Sequence, residues 1–319
     1  PPVRGHSESS LRSVGHMTKE LMKFESLKNH DAMSYSLDIN SPLIRSESDT
    51  FRLLDGIFYC LTRPAIYRWS TTQEKGIVEQ LSEGIRYFDL RIAHKPYDPS
   101  NELYFTHVIY THLTVETLWA IASWLESHSK EVVILACSHF EGLTEKLHEH
   151  LIFSLKKIFG SKLCPHKTVV TLRGLWALGY QVLLSYDDQS AARHQVLWPG
   201  IPYWWANQNT ASGVVSYLDW QKDMGRPDGF FVSGLNLTAD RSYIALHPHQ
   251  SLQTLTLANW KELRPWLEEQ VPGPHSNNLN IIAGDFIGPV PFCPLVINLN
   301  RKLLRQQKMD QRTLKAEED

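Results

Sequence analysis

The sequence predicts an α/β fold: a single TIM-like (β/α)8 barrel, irregular, with an incomplete helical ring and a doubtful first strand. Three observations lead there. From residue 80 onward, short β-rich runs alternate with amphipathic stretches, the pattern of a parallel sheet with helical crossovers. The 319 residues have room for the about 250 residues that such a barrel uses as one domain. The composition, 42% hydrophobic and 21% charged, is that of an ordinary globular protein.

Taken in order, candidate strands fall at 85–92, 103–110, 131–138, 181–186, 201–205, 230–237 and 279–286, and an eighth is required before His30. Residues 114–128 put Val115, Leu118, Ile121, Ala122 and Leu125 on one helical face, with Thr114 as the candidate N-cap. The same periodicity returns at 143–159 with Leu147, Leu151, Leu155 and Ile158, after a break at Phe140-Glu141-Gly142. Segments 258–270 and 294–304 are further helix candidates, Pro265 making the former irregular. The link 93–102 contains Pro96 and Pro99 and is too short for a crossover helix, hence the incomplete ring. The stretch 305–319 is nearly all polar and reads as a frayed charged tail.

A formal net charge of -2 and a pI near 6.8 exclude a mainly electrostatic nucleic-acid binder. Cys60, Cys137, Cys164 and Cys293 form no CxxC pair, and the first thirty residues carry no secretory signal. Together these predict reduced thiols and a cytoplasmic protein. The longest apolar runs, such as 132–137, fall far below the roughly 20 residues that span a bilayer, so a membrane substrate is reached from outside. The sequon Asn236-Leu237-Thr238 ends an apolar run that reads as buried, and is taken as a chance occurrence.

Asp89 and Arg91, two residues apart on a strand, share one face, which in a barrel is the interior. A charged pair inside Ile85-Arg86-Tyr87-Phe88-Asp89-Leu90-Arg91-Ile92 needs partners or a ligand. A structural salt bridge accounts for that pattern equally well. Catalytic residues of barrels cluster at the C-terminal ends of strands. Asp89 and Arg91 end the first clear strand, His107 lies late in the second, Asp285 lies late in the last, and His30-Asp31 follow the strand that is missing. Two histidines, an arginine and carboxylates match phosphodiester cleavage, which needs a base, an acid and a cation for the developing phosphorane. His148 and His150 are two apart on a predicted helix and read as surface residues, as do His247 and His249 around Pro248.

His30-Asp31-Ala32-Met33-Ser34-Tyr35, Gly84-Ile85-Arg86-Tyr87-Phe88-Asp89-Leu90-Arg91 and Tyr104-Phe105-Thr106-His107 resemble three motifs of the phosphatidylinositol-specific phospholipase C X domain. Glu131-Val132-Val133-Ile134-Leu135, Leu197-Trp198-Pro199-Gly200, 203–207 and Asn280-Ile281-Ile282-Ala283-Gly284-Asp285-Phe286-Ile287 are similar to its vertebrate X-domain-only branch. The resemblance covers 30–305. It implies a phosphoric diester hydrolase that cleaves phosphatidylinositol to diacylglycerol and an inositol cyclic phosphate, with no metal or other cofactor. Within it, His30 is the general base on the inositol 2-hydroxyl, Arg91 the phosphorane stabiliser and His107 the general acid toward the diacylglycerol oxygen. Asp31 couples to His107 and Arg91, Asp285 orients His30, and Asp89 supports the acid and the arginine. Attack by the 2-hydroxyl is intramolecular, which makes a cyclic product natural. Where calcium-dependent members hold a metal with acidic residues, this chain offers Arg91, whose guanidinium supplies the ion's electrostatic role and repels it.

Tyr203, Trp205 and Asn207, with Tyr186, are the substrate-binding candidates. Ser138-His139 and Tyr186-Asp187 stand near the positions where bacterial relatives carry an inositol-holding lysine and arginine, which leaves headgroup preference open. The implied partner is phosphatidylinositol or a related inositol phospholipid, reached by peripheral membrane contact. The family's Ile-Pro-Gly-Ser or Ile-Pro-Gly-Thr before His-Asp is replaced by Ser26-Leu27-Lys28-Asn29, so 1–29 is set apart as a variant N-terminal segment and 306–319 as a charged tail. A missing first strand would leave two sheet edges unpaired and the aim of His30 undefined. Two other classes stay open: a non-catalytic inositol-lipid or protein-binding module with a misaligned His30, and a metal-dependent glycerophosphodiesterase, also a barrel with two histidines.

Overall fold

The computed structural model describes the backbone of residues 26–273 and 275–318, and side chains only within 30–305; the N-terminal segment through residue 25 lies outside the described residues. The strand that the sequence left in doubt is formed. β1 (Ser26–Asn29) lies between β2 (Tyr87–Ala93) and β10 (Ile281–Gly284), parallel to both, with Asn29 opposite Phe88 on one side and Gly284 on the other. Ladder hydrogen bonds use only backbone groups, and two buried neighbours each present a row of them, so a polar segment fills the gap as an apolar one would.

The remaining strands are β3 (Tyr104–His107), β4 (Ile109–Thr114), β5 (Val133–Glu141), β6 (Val182–Tyr186), β7 (Leu197–Trp198), β8 (Tyr203–Trp204) and β9 (Val232–Gly234). Their order is β7-β6-β5-β2-β1-β10-β9-β8, every neighbouring pair parallel. Among the described residues the sheet does not close: β7 and β8 stand at its two ends, joined by Pro199-Gly200-Ile201-Pro202. Pairing two parallel strands takes a crossover of about a dozen residues, far longer than this link.

Two corrections concern the strands. The run 103–110 is not a barrel strand but the start of an antiparallel hairpin, β3 and β4, broken at Val108, whose φ is +66°. The barrel's own member, Leu197–Trp198, is too short to show a period in the sequence.

Helices α1 (Asp49–Ile57), α2 (Tyr59–Ser70) and α3 (Ile77–Glu83) join β1 to β2. α4 (Trp119–Ser127) follows the hairpin, α5 (Glu145–Phe159) and α6 (Leu172–Leu178) follow β5, and α7 (Ala211–Met224) follows β8. α8 (Arg241–Leu246) and α9 (Leu252–Glu269) follow β9, and α10 (Phe292–Glu318) follows β10. No α-helix joins β6 to β7 or β7 to β8, so the helical ring is incomplete, though at different links from 93–102. Thr114 does not cap a helix: it ends β4, and a 3-10 turn at Val115–Leu118 precedes α4. α5 is capped instead by Thr144, whose side chain accepts from the Leu147 N–H. α9 runs through Pro265, and α10 continues past residue 304 as helix to Glu318.

The period of two sorts the sheet's side chains. Phe88, Leu90, Leu135 and Leu184 pack outward under the helices, while Tyr87, Ile134, Ala136, Leu183, Val232 and Ala283 fill the interior. Asp89 and Arg91 share the parity of Tyr87, and all three line one cavity above that interior layer.

Candidate active site

His30 is the first residue after β1. Its N–H points to the Gly284 carbonyl at 3.5 Å, and its carbonyl accepts from Thr72 Oγ1 at 2.8 Å and Gln73 Nε2 at 3.4 Å. The Gln73 amide also reaches the Gly284 carbonyl at 3.1 Å, and Phe286 N–H donates to the Thr72 carbonyl at 2.8 Å. The segment after α2 therefore clamps the ends of β1 and β10 together. Asp31 sits at φ +43°, and Ala32 N–H donates to the Asp89 carbonyl at 3.0 Å, which ties the turn to β2. This bonding aims His30 without the Pro-Gly-Ser turn.

The imidazole Nδ1 of His30 lies 3.0 Å from Asp285 Oδ1, and its Nε2 lies 2.8 Å from Arg91 Nη2. Arginine only donates, so Nε2 is the acceptor and Nδ1 carries the proton given to Asp285. A lone pair on Nε2 is what a base needs. Arg91 Nε lies 3.5 Å from Asp89 Oδ2, which also stands 3.4 Å from the Asp31 N–H, while Ser138 Oγ donates to Asp89 Oδ1 at 3.4 Å. Burial lowers the pKa of Arg91, and the carboxylates of Asp89 and Asp31 more than offset this, so it stays charged.

His107, at the end of β3, faces His30 edge-on with ring centroids 5.6 Å apart. Its Nδ1 donates to the Ser70 carbonyl at 2.6 Å. Asp31 Oδ2 is 3.7 Å from the same nitrogen, an ion-pair distance rather than a hydrogen bond. The expected coupling of Asp31 to His107 is thus indirect, because the end of α2 supplies the nearer acceptor. Burial first, then the charge of Arg91 and the neighbouring His30, push the His107 pKa down to about 3. Burial likewise raises the Asp31 carboxyl well above the usual range, against the pull of Arg91.

His30, Asp89, Arg91 and His107 line one end of a cavity of about 1300 Å³, together with Ser138, His139, Asp187, Tyr203 and Trp205. Tyr203 donates from its hydroxyl to Asn236 Oδ1 at 2.5 Å, and Trp205 donates from Nε1 to Thr238 Oγ1 at 2.9 Å. Burial and the charges of Asp285 and Asp89 hold the Tyr203 phenol protonated. Asn236, of the sequon, is buried.

Two predicted binding residues are not in this group. Tyr186 faces the other side of the sheet, buried against Phe140, with its hydroxyl 2.7 Å from His148 Nδ1. Its parity is opposite to that of Leu183 and Ser185, a period-two signal already present in the strand. Asn207, at φ +51°, lies outside the cavity lining. His148, read as a surface residue, is buried by the same Tyr186 contact. Conversely, Ser70, Thr72 and Gln73 escape sequence reasoning, because a backbone carbonyl and two loop residues carry no motif. His139, at φ +50° with Nδ1 2.8 Å from Ser138 Oγ, has a stronger signal: it follows the Ser138 that contacts Asp89.

Among the described residues no group of three or more His, Cys, Asp or Glu is arranged to hold a metal, and no helix is long and apolar enough to cross a membrane. The four cysteines are free thiols.

No family model matches the chain. Individual proteins do. It is 50% identical over 278 residues to PI-PLC X domain-containing protein 1 of Homo sapiens, covering 86% of this chain and 86% of that protein. The Danio rerio protein of the same name is 46% identical over 276 residues, covering 86% and 89%. PI-PLC X domain-containing protein 3 of Danio rerio is 36% identical over 278 residues, covering 85% and 86%. Among solved structures, phosphatidylinositol-specific phospholipase C from Listeria monocytogenes superposes with a TM-score of 0.58 at 16% identity, covering 89% of this chain and 98% of that one. The Staphylococcus aureus phosphatidylinositol-specific phospholipase C superposes with a TM-score of 0.58 at 13% identity, covering 85% and 88%. At such identities the likeness speaks to the fold alone, that of a phospholipase-type barrel; the sequence relatives decide the family. The chain belongs to the PI-PLC X domain-containing proteins.

Proposed function

We propose that this protein is a metal-independent phosphodiesterase that cleaves phosphatidylinositol by intramolecular attack. The observation that carries the reading is the tautomer of His30: Nδ1 on Asp285 and an unprotonated Nε2 beside Arg91, with His107 5.6 Å away. In the first step the inositol 2-hydroxyl gives its proton to His30 Nε2 and its oxygen attacks phosphorus. The bond from phosphorus to the glycerol oxygen breaks, and that oxygen takes a proton from His107. Diacylglycerol and an inositol cyclic phosphate result. Arg91 meets the equatorial oxygens, the role an ion would otherwise fill.

His107 must carry a proton for this, yet burial and Arg91 hold it neutral in the free protein. A phosphodiester anion between the two offsets the charge of Arg91, so substrate binding itself favours the imidazolium. Tyr203, Trp205, His139 and Asp187 line the same end and are the proposed headgroup contacts. Catalysis at a lipid surface follows from the substrate.

The test is turnover of phosphatidylinositol in EDTA by the purified protein, with release of a cyclic inositol phosphate. His30→Ala and His107→Ala should each lower the rate about 10²–10⁴-fold. Full activity in both variants overturns the assignment. Headgroup binding without turnover favours the binding module, and activity that requires calcium or magnesium favours the glycerophosphodiesterase.

A further inference from the structure

The cavity does not end at the catalytic cluster. It runs on beneath the α1–α2 hairpin, lined there by Phe51, Leu54, Ala65, Ile66, Trp69 and Leu252. At about 1300 Å³ the whole exceeds the roughly 300–1,000 Å³ of an ordinary small-molecule pocket. An inositol phosphate bound at the polar end would leave this arm unfilled.

The hairpin above the arm buries charge and also exposes apolar surface. Its charged pair faces the protein: Asp55, 4% exposed, accepts from Arg63 Nε at 2.9 Å, and Arg63 also donates to the carbonyls of Ile39 and Ser41. Besides the inward Ile66 and Trp69 the hairpin carries apolar residues that face away, with Leu61 75% and Ile57 62% exposed beside Phe58 and Leu53. Leu54 both lines the arm and reaches this outer face, so the arm opens among exposed apolar side chains.

At the junction of arm and polar end stands Trp69. It is 8% exposed, packs edge-on against Tyr243 at 5.9 Å, and immediately precedes Ser70, whose carbonyl holds His107. Its indole Nε1 is buried with no hydrogen-bond partner among the described residues.

We propose that the arm is an acyl-chain subsite, in which a fatty chain of the lipid lies under the hairpin. This rests on the phosphatidylinositol reading above and adds to it a preference exerted by the protein on the hydrophobic half of the substrate.

Binding and turnover are measured separately, with glycerophosphoinositol and with phosphatidylinositols of increasing acyl length kept monomeric. Affinity of the full chain should rise roughly threefold to fourfold per methylene until the arm is filled. Ala65→Phe should flatten that rise and leave glycerophosphoinositol affinity within about twofold. An affinity independent of chain length overturns the subsite, as does an Ala65→Phe loss equal for glycerophosphoinositol and the acylated lipids. A chain-length dependence blunted by Ala65→Phe supports the subsite even where no lipid is turned over; that absence of turnover counts against the proposed reaction alone.

Discussion

The two ends of the cavity are built by different means. At the polar end His30 follows a strand and His107 stands at a hairpin tip, and main-chain groups anchor both: the Ser70 carbonyl accepts from His107, and the His30 carbonyl accepts from the side chains of Thr72 and Gln73. At the apolar end the wall is a pair of helices whose one buried charge pair, Asp55–Arg63, is structural. The same chemical event, burial of an arginine with aspartate, thus has two uses in one molecule. Arg91 keeps a face toward open space, whereas Arg63 is consumed by Asp55 and two carbonyls. What separates a site from a scaffold here is the cavity beside the ion pair, not the ion pair.

That contrast can be broken in three ways. The largest expected effect is on stability at Asp55→Ala, which strands the Arg63 charge in the interior and should lower the unfolding free energy by about 3–5 kcal/mol, read by urea denaturation. Arg91→Ala, at the other end, should instead lower the rate of phosphodiester cleavage about 10²–10³-fold, measured as kcat on phosphatidylinositol. If Arg91→Ala destabilised the fold as much as Asp55→Ala while sparing turnover, the two arginines would have the same role and the distinction would fall.

The third effect is a slope rather than a step. The His107 pKa is about 3 in the folded protein against 6.5 ordinarily, so between these values the unfolded chain binds a proton that the native state refuses. Stability contributed by this group is complete above pH 6.5 and is lost as pH falls toward 3. In His107→Asn the denaturation midpoint should depend less steeply on pH across that window. An unchanged slope would show that the imidazole is not held neutral.

Much of the polar end was legible in the sequence. Asp89 and Arg91 are conspicuous as charges at alternate positions of an apolar strand, and that alternation specifies their common face. The arm was not legible. The α1–α2 hairpin buries the Asp55–Arg63 pair along with Ile66 and Trp69 and exposes Leu53, Ile57, Phe58 and Leu61, so its pattern marks no single apolar face. His107 was found by its motif, but on a hairpin rather than a barrel strand, because nothing in Tyr104-Phe105-Thr106-His107 marks the left-handed turn at Val108. Tyr186 was placed in the site although its strand parity points the other way.

By itself, then, the sequence determined the class of fold, through the alternation of strand and helix periods, and the identity of the charged residues that an apolar sheet could not bury without purpose. Tertiary structure alone decided that Ser26–Asn29 completes the sheet and that the sheet stays open at Pro199–Pro202. It also decided the tautomer of His30 and the acceptor of His107. For the ladder and for His107 the reason is backbone hydrogen bonding between segments far apart in the chain, and backbone groups are the same at every residue, so they leave no mark in the sequence. The tautomer of His30 rests on the side chains of Asp285 and Arg91, which only the fold brings together.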